Sequence, residues 1–185
     1  MPDRDAAWGI LTEFTKSDSL RKHALAVEAS MRAYAGRYGA DPEIWGMAGM
    51  LHDFDYEAHP TAPRHPVKGA EILLARGVPD PVVYAILAHA DYSGYPRRAL
   101  LDRGLYACDE LSGFVTACAL VRPGRAVAGL EVASVKKKLK DKAFARTVNR
   151  DDVYRGAEEL GVDLDSHIGF VVEALTAVAP RIGLG

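Results

Sequence analysis

Six side chains of this sequence could together bind metal ions. Four of the six histidines and two aspartates lie at or near the ends of apolar helical patterns, or just before a helix: His23, His52, Asp53, His65, His89 and Asp109. Helix cores exclude such residues unless they are paired or bound to something, because burying them unsatisfied costs several kcal/mol. A shared ion would satisfy all six, so the pattern predicts a metal site.

The donor types indicate which ions would bind. Four imidazoles and two carboxylates suit a divalent transition metal such as Mn²⁺, Fe²⁺, Co²⁺, Ni²⁺ or Zn²⁺, whereas Ca²⁺ would call for oxygen ligands alone. Six ligands are too many for one catalytic ion that keeps an open coordination position. They suit two ions that share a carboxylate, so two are expected.

The neighbouring pair His52-Asp53 stands where a helix is expected to end. Adjacent residues on a helix point about 100° apart, so two neighbouring side chains can grip one ion only where the backbone leaves the helix. Asp41-Pro42-Glu43 is a strong helix start and opens the apolar run that ends at His52. Pro-containing sequence from Asp53 to Pro66 follows, so the pair is expected at the mouth of a pocket.

Helical periodicity dominates the rest of the chain, and strand-like alternation is almost absent. Ser17 offers an N-cap for a long helix that ends near Gly39 and carries His23 on its apolar stripe. His89 lies on the inward face of a helix that Asp80-Pro81 opens. The sequence therefore predicts an all-α helical bundle with the metal site between its central helices.

Two further predicted helices carry the remaining candidates. His65 stands just ahead of a helix that Gly77 stops, and a long helix over about 98–120 carries Asp109. The same long helix holds Cys108 and Cys118 roughly 15 Å apart, which is too far for a disulfide. The two cysteines are therefore interpreted as small buried residues in a reducing compartment.

The order and spacing of these residues resemble the HD superfamily of metal-dependent phosphohydrolases. That family carries a His, a His-Asp doublet, two further histidines in its dinuclear branches and a distal Asp. The segment from His65 to Leu73 is similar to the specific HPxxGAEIL motif, and the resemblance covers about Ser19 to Val121. It implies a first ion held by His23, His52, Asp53 and Asp109, and a second ion that Asp53 shares with His65 and His89.

The resemblance also implies an enzyme. Two adjacent cations would lower the pKa of a bridging water and stabilise the charge that develops on a phosphoryl group. The expected reaction is hydrolysis of a phosphoester or phosphoanhydride in a nucleotide or another small phosphorylated metabolite. Bacterial symmetrical dinucleoside-tetraphosphate hydrolases of the HD class are similar in size and layout. The length fits one HD-type domain over 1–185, with a core at about 19–121 and a helical extension at about 122–185.

Further side chains near the motif could serve the reaction. Asp55 could orient a metal-bound water or a ligand imidazole, and the alternative is an exposed loop acid. Lys68, one helical turn beyond His65, could contact substrate phosphate, and the alternative is a solvated lysine. His59 and His167 are interpreted as loop and surface histidines without a role.

Composition and charge narrow the expected partners. The formal net charge of −2 gives no global attraction to nucleic acid or to an anionic membrane. The apolar runs are too short to span a bilayer, and no leader pattern is recognised, so a cytoplasmic location is expected. Nothing in the sequence predicts the oligomeric state.

One strong basic cluster stands out, made of the lysines between Lys136 and Lys142 and of Arg146 and Arg150. Like charges spaced i, i+4 mildly destabilise the helix predicted over 132–142, so local stability does not explain them. The cluster is interpreted either as a contact for a phosphate-rich substrate or as a solvated face. Nucleic-acid binding is not expected, because the segment lacks interleaved aromatic residues beyond Phe144.

Three other functions stay open as alternatives. Di-iron oxygenases resemble the same six-ligand scaffold, so ligand identity alone does not separate an oxygenase from a hydrolase. Gly94-Tyr95-Pro96 is similar to a signature of cyclic-dinucleotide hydrolases, but this chain has one histidine at position 89 where that subgroup has a pair, so the tripeptide is interpreted as a turn. A non-catalytic HD module is disfavoured, because such modules typically lose ligands and none is missing here.

Overall fold

The computed structural model describes residues 1–62 and 64–185. These residues form ten α-helices and no strand: α1 (Arg4–Phe14), α2 (Asp18–Tyr38), α3 (Pro42–Leu51), α4 (Arg64–Ala75), α5 (Asp80–Ala88), α6 (Leu100–Leu120), α7 (Val132–Leu139), α8 (Arg150–Leu160), α9 (Leu164–Ala177) and α10 (Ala179–Ile182). The predicted all-α fold class is confirmed. None of the helices described is long and apolar enough to cross a membrane.

Side-chain caps start the helices that lead to the predicted site. Ser17 caps α2 by accepting a hydrogen bond from the amide of Leu20, and Asp41 caps α3 by accepting one from the amide of Glu43. Such caps satisfy amides that have no partner inside the helix. Because α3 ends at Leu51 and His52 is its C-terminal cap, the predicted position of this histidine at a helix terminus is confirmed.

The centre of the bundle is formed by α2 and α6, which pack against each other. The large side chains of Tyr34 on α2 and Phe114 on α6 are fully buried. The hydroxyl groups of Ser30 and Ser112, 3.0 Å apart, form a buried hydrogen bond between the same two helices. Cys108 is buried on α6, as expected. This helix pair fixes the relative position of His23 on α2 and the aspartate at 109 on α6.

The C-terminal helices complete the same hydrophobic core. Buried side chains of α8 and α9, such as Val153 and Ile168, belong to one apolar cluster with residues of α1 to α6. The backbones of α8 and α6 approach so closely that a Cβ atom at Gly156 would lie 2.7 Å from the Cα atom of Ala107. The glycine therefore lets α8 pack directly against the helix that carries Asp109.

The predicted end of α7 at Lys142 is wrong, because the helix stops at Leu139. Asp141 then forms a turn in which its carboxylate accepts a hydrogen bond from the amide two residues later. The ring of Phe144 folds back edge-on against Phe114, with 5.6 Å between ring centroids. This aromatic packing turns the chain away from the helix axis, so the last residues of the basic cluster lie in the α7–α8 connection.

His167 is buried, so its interpretation as a surface histidine is wrong. Its Nε2 donates to the carbonyl of Ala107 at 3.0 Å, and its Nδ1 accepts from the hydroxyl of Tyr34 at 2.6 Å. The carbonyl can only accept, which fixes the proton on Nε2. Burial lowers the pKa of His167 to about 4, so the imidazole is neutral at physiological pH.

Candidate metal centre

The six predicted ligands converge at one corner of the bundle in two groups. His23, His52 and Asp109 offer ligand atoms that all lie within 4.8 Å of one another, and the same holds for the second group, Asp53, His65 and His89. The structure therefore brings together all six residues that the sequence predicted as metal ligands. Their role as metal ligands stays a prediction.

The first group joins three helices. His23 comes from the middle of α2, His52 from the end of α3 and Asp109 from α6. The Nε2 atom of His23 lies 2.9 Å from Oδ1 of Asp109, and the Nε2 atom of His52 lies 3.3 Å from the same oxygen. Three side chains thus point their donor atoms at one small volume.

The second group is arranged around Asp53. The Oδ1 atom of Asp53 lies 3.1 Å from Nε2 of His65 and 3.4 Å from Nε2 of His89, which caps the end of α5. Its other oxygen, Oδ2, lies 3.4 Å from Nε2 of His52. The two oxygens of Asp53 therefore face different groups, which is the placement that a bridging carboxylate requires.

Asp55 holds the imidazole of His65 in place. This fully buried carboxylate accepts a hydrogen bond from Nδ1 of His65 at 2.7 Å and another from the amide of Gly69 at 3.0 Å. A Cβ atom at Gly69 would lie 2.6 Å from Cγ of Asp55. The glycine of the His65–Leu73 motif therefore lets α4 approach Asp55, which in turn fixes the tautomer and orientation of His65.

The surroundings of His52 show that this corner fits a cation. Its Nδ1 donates to the carbonyl of Gly49 at 2.9 Å, which leaves Nε2 as the nitrogen that can bind a proton or a metal ion. Nε2 is buried, and among the described residues it has no hydrogen-bond partner, although carboxylate oxygens of Asp53 and Asp109 lie 3.4 and 3.3 Å away. Acceptors that face one another in a buried site are unfavourable unless a cation lies between them. A divalent metal would satisfy all of them.

The two carboxylates of the site are ionised. Burial raises the pKa of Asp53, but the imidazoles around it outweigh burial and bring the pKa well below its usual range. The pKa of Asp109 is lowered by neighbouring imidazoles in the same way. Burial lowers the pKa of His65, yet its hydrogen bonds to Asp53 and Asp55 raise it to about 9. Both carboxylates are therefore held in the charged form that binds metals, and a bound metal would displace the proton that His65 carries in the metal-free site.

Both groups face a cavity of about 470 Å³. Tyr92 lines this cavity, and burial together with the nearby Asp53 raises the pKa of its phenol to about 12, so the phenol keeps its proton. Asn149, Asp152 and Arg155, at the start and on the face of α8, form the opposite wall. Sequence reasoning missed these three residues, since they reach the site only through the packing of α8 on α6.

Arg155 is the only arginine or lysine in the described lining of this cavity. Its guanidinium donates to the hydroxyl of Tyr106 at 2.6 Å and to the carboxylates of Asp152 and Asp91. Arg97 donates to Asp91 as well, at 2.8 Å. This network connects α8 to the turn after α5, so it holds the guanidinium of Arg155 at the cavity wall. The only local sequence feature that indicates this network is the i, i+3 spacing of Asp152 and Arg155.

The structure does not bring Lys68 to the cavity. Its side chain is 52% exposed, and its ammonium is paired with Glu71 at 2.7 Å on the outer surface of α4. The expected position assumed that His65 belongs to the same regular helix. The backbone of His65 is extended, with ψ of 135°, so helical spacing does not relate the two side chains.

Comparison with known proteins agrees with this geometry. The family model of the HD domain matches residues 20–113. Ribonuclease Y from Desulfotalea psychrophila (strain LSv54 / DSM 12343) is 30% identical over 141 residues, which cover 70% of this chain and 25% of that protein. The chain thus spans about a quarter of the length of this relative. No solved structure matches the chain at a significant level.

The family match includes all six converging residues and about half of the chain. HD domains bind divalent metals and are commonly hydrolases that act on phosphorylated substrates. The helical architecture and the paired histidine–aspartate groups agree with this match. This chain belongs to the HD domain family.

Proposed function

We propose that this protein is a metal-dependent phosphohydrolase that cleaves a phosphoester or phosphoanhydride bond. The observation that carries the proposal is the position of Asp53, whose two oxygens face two separate histidine-containing groups. A carboxylate in this position can hold two cations next to each other. Pairs of adjacent cations are used by many enzymes that transfer phosphoryl groups to water.

In this proposal each group would hold one ion. The first ion would be held by His23, His52 and Asp109, the second by His65 and His89, and Asp53 would serve both. Divalent ions such as Mn²⁺, Fe²⁺, Co²⁺, Ni²⁺ or Zn²⁺ supply Lewis acidity at such a site, which polarises a phosphoryl oxygen and acidifies water.

The side chains around the ligands orient them and bind the substrate. Asp55 keeps the Nδ1 proton of His65 directed away from the cavity, so that Nε2 is the nitrogen that would bind an ion. Arg155 offers a guanidinium to phosphate oxygens that the ions do not contact. Tyr92, protonated below about pH 12, can donate a hydrogen bond to the substrate. Lys68 has no part in this arrangement, because it lies on the outer surface.

The size of the cavity limits the substrate class. A volume of about 470 Å³ is in the usual range for small-ligand sites, so it accommodates a nucleotide or a phosphorylated metabolite of similar size. The name of the relative, Ribonuclease Y, adds phosphodiester bonds of RNA to the candidates. We further propose that residues 1–185 act as one domain, in which α8 of the C-terminal extension supplies a wall of the site.

The test combines metal analysis with a substrate screen. The purified chain is assayed for bound metals and for hydrolysis of nucleotides, phosphomonoesters and bis(p-nitrophenyl) phosphate with Mn²⁺, Fe²⁺, Co²⁺ or Mg²⁺, under argon and in air. We expect oxygen-independent hydrolysis by wild type and the loss of both metal and activity in Asp53→Ala. His59→Ala, which changes a loop histidine outside both groups, is the matched control.

Full turnover by Asp53→Ala contradicts the proposal. Strict oxygen consumption with iron, and no hydrolysis under argon, assigns the site to the oxygenase alternative instead. Either result would separate the fold, which the family match shows, from the reaction proposed for it.

A further inference from the structure

Six of the seven residues of the basic cluster, all except Lys137, form two sets of side chains with different surroundings. Lys136 is paired with Asp165 at 2.6 Å, and the ammonium of Lys138 lies 4.3 Å from the centre of the Phe144 ring. The guanidinium of Arg150 donates to backbone carbonyls of the α7–α8 connection. These three cations are used within the fold, so they do not account for the whole cluster.

Lys140, Lys142 and Arg146 form the second set. All three are exposed and line a cavity of about 670 Å³ in the α7–α8 connection. Among the described residues, no carboxylate lies within 4.0 Å of their charged nitrogens. Because like charges gathered around one concave surface repel one another, this arrangement costs stability unless an anion binds there.

The lining of this basic cavity selects an anion. Asp151 is the only carboxylate in its described lining, whereas four cationic residues line it: Lys140, Lys142, Arg146 and Arg150. The cavity at the metal centre has the opposite composition, with several carboxylates and one arginine. A single ligand that fits both cavities would therefore present phosphate to the metal ions at one end and to lysine and arginine at the other.

Asn149 lies at the junction of the two cavities and lines both. Its side-chain amide donates to Asp152 at 2.8 Å, and its side-chain oxygen accepts from the amide of Asp151 at 3.1 Å. A neutral, well-anchored side chain thus separates the metal centre from the basic cavity. An extended ligand can therefore pass over Asn149 without placing its own charge against a charged protein side chain.

Tyr154 adds an aromatic surface beside the junction. Its side chain is 45% exposed and lines both the basic cavity and a smaller opening that also contains Arg155. Proteins that bind single-stranded nucleic acids combine exposed aromatic rings, on which bases stack, with cations that follow the phosphates. The face of α8 offers both kinds of group next to the metal centre.

We propose that the basic cavity of Lys140, Lys142 and Arg146 is a second phosphate-binding subsite, and that the substrate is a short single-stranded oligonucleotide. Its scissile phosphate lies at the metal centre, one base stacks on Tyr154, and phosphates further along the strand bind in the basic cavity. This inference rests on the proposed function and names its substrate class. It differs from the expectation that nucleic acid does not bind. That expectation used the net charge of −2, which does not show that acidic and basic residues lie in separate regions.

The test compares long and short substrates. Hydrolysis of a fluorescein-labelled hexanucleotide and of bis(p-nitrophenyl) phosphate is measured for wild type and for the triple variant Lys140→Gln, Lys142→Gln, Arg146→Gln. We expect KM for the hexanucleotide to rise at least about tenfold in the variant, with kcat and the rate on the small diester unchanged. A plot of the logarithm of the hexanucleotide binding constant against the logarithm of salt concentration should have a slope that is less steep by about 2 in the variant. Each of the three lost phosphate contacts contributes about 0.7 to this slope.

Two controls separate the subsite from other causes. Lys137→Gln removes an exposed lysine of α7 outside the cavity and should leave KM for the hexanucleotide unchanged. Tyr154→Ala should weaken hexanucleotide binding but not the binding of inorganic tripolyphosphate. The triple variant could weaken the binding of both ligands equally while Tyr154→Ala weakens the binding of neither. In that case the proposal of an oligonucleotide substrate is wrong, and the cavity is a site for phosphate chains alone.

Binding without turnover distinguishes failure of the subsite from failure of the proposed function. Fluorescence anisotropy of the hexanucleotide is measured on the full chain with EDTA present. Binding that depends on the basic cavity, without hydrolysis of any phosphoester or phosphoanhydride by the metal-loaded protein, supports the subsite and overturns the proposed function. Hydrolysis of the small diester with hexanucleotide affinity equal in wild type and triple variant overturns the subsite alone.

Discussion

Two fully buried histidines of this bundle have opposite surroundings. His167 on α9 uses both ring nitrogens, one with the Tyr34 hydroxyl and the other with a backbone carbonyl of α6. His52 at the end of α3 uses only Nδ1, and its Nε2 faces the carboxylates of Asp53 and Asp109 without a hydrogen bond. The two residues are equally inaccessible to solvent, yet of the two only His52 has a ring nitrogen without a hydrogen-bond partner.

The pKa values of the two imidazoles follow from this difference. Burial lowers the pKa of His167 to about 4, because no charged partner compensates for the lost hydration. Burial acts on His52 as well, but Asp53 and Asp109 raise its pKa well above the usual value. Burial alone therefore does not identify a functional histidine. An imidazole nitrogen that faces carboxylates inside the protein indicates a place for a cation, which is a proton in the metal-free site and can be a metal ion in the loaded one.

The largest expected effect comes from exchanging each histidine for alanine. His52→Ala removes a ligand of the first group, so we expect bound metal to fall and hydrolysis to drop about a thousandfold or more. His167→Ala leaves an unsatisfied carbonyl and hydroxyl, so it should lower the free energy of unfolding while bound metal per folded chain is unchanged. Metal analysis and urea denaturation measure the two effects. Equal metal loss in both variants would show that the unused ring nitrogen of His52 does not distinguish it from His167.

The pH dependence of stability should report on His167. Its pKa is about 4 in the folded chain and roughly 6.5 when unfolded, so the unfolded state takes up the proton first as the pH falls. The contribution to stability is therefore complete above about pH 6.5 and is lost progressively towards pH 4. Between pH 7.5 and 5, wild type should lose about 2 kcal/mol more than His167→Phe.

This pH effect is measured by urea denaturation in EDTA, so that metal binding does not contribute. The difference between wild type and variant matters, because all other titrating groups are common to the two proteins. A difference that stays constant between the two pH values would show that His167 is not neutral in the folded chain.

A smaller effect is expected from a residue that touches no metal. In Gly69→Ala the new methyl group collides with the carboxylate of Asp55, which holds His65. Disturbing such an outer partner typically lowers metal affinity roughly 10- to 100-fold. Isothermal titration with Mn²⁺ should show this loss at the second group, while the first group is less affected.

The matched control is Gly36→Ala on α2, where a Cβ atom would meet no atom within 4 Å. This substitution should leave metal affinity unchanged and raise stability by up to about 1 kcal/mol, because alanine favours the helix. Equal metal affinity in Gly69→Ala and Gly36→Ala would mean that Asp55 does not support the site.

The smallest effect is expected at Lys68. Its ammonium is paired with Glu71 on the surface, so Lys68→Ala should change kcat/KM by no more than about twofold and stability by about 0.5 kcal/mol or less. Steady-state kinetics with the best substrate of the screen measure this effect. A loss of tenfold or more would restore Lys68 to the site.

The sequence predicts those features that depend on neighbours along the chain. The caps at Ser17 and Asp41 define the starts of α2 and α3, and the apolar run after Asp41 places His52 at a helix end. The histidine and aspartate types, which are rare in helix cores, single out the converging residues before their positions are known. Local signals were sufficient here, because caps and periodicity act within one helix.

Features that depend on distant packing could not be predicted in this way. The partner of His167 is Tyr34, which precedes it by 133 residues, so no local pattern shows that its nitrogens are satisfied. Arg155 reaches the cavity through the close packing of α8 on α6. The early end of α7 depends on the aromatic contact between Phe144 and Phe114. In each case a tertiary contact outweighs the local sequence pattern.

The proposed function requires two ions that bind side by side and share Asp53. Anomalous diffraction from crystals of the Mn²⁺-loaded chain would locate them. We expect two anomalous peaks, one in contact with His23, His52 and Asp109 and the other with His65 and His89, with Asp53 touching both. A single peak, or peaks outside these two groups at saturating Mn²⁺, would contradict the account.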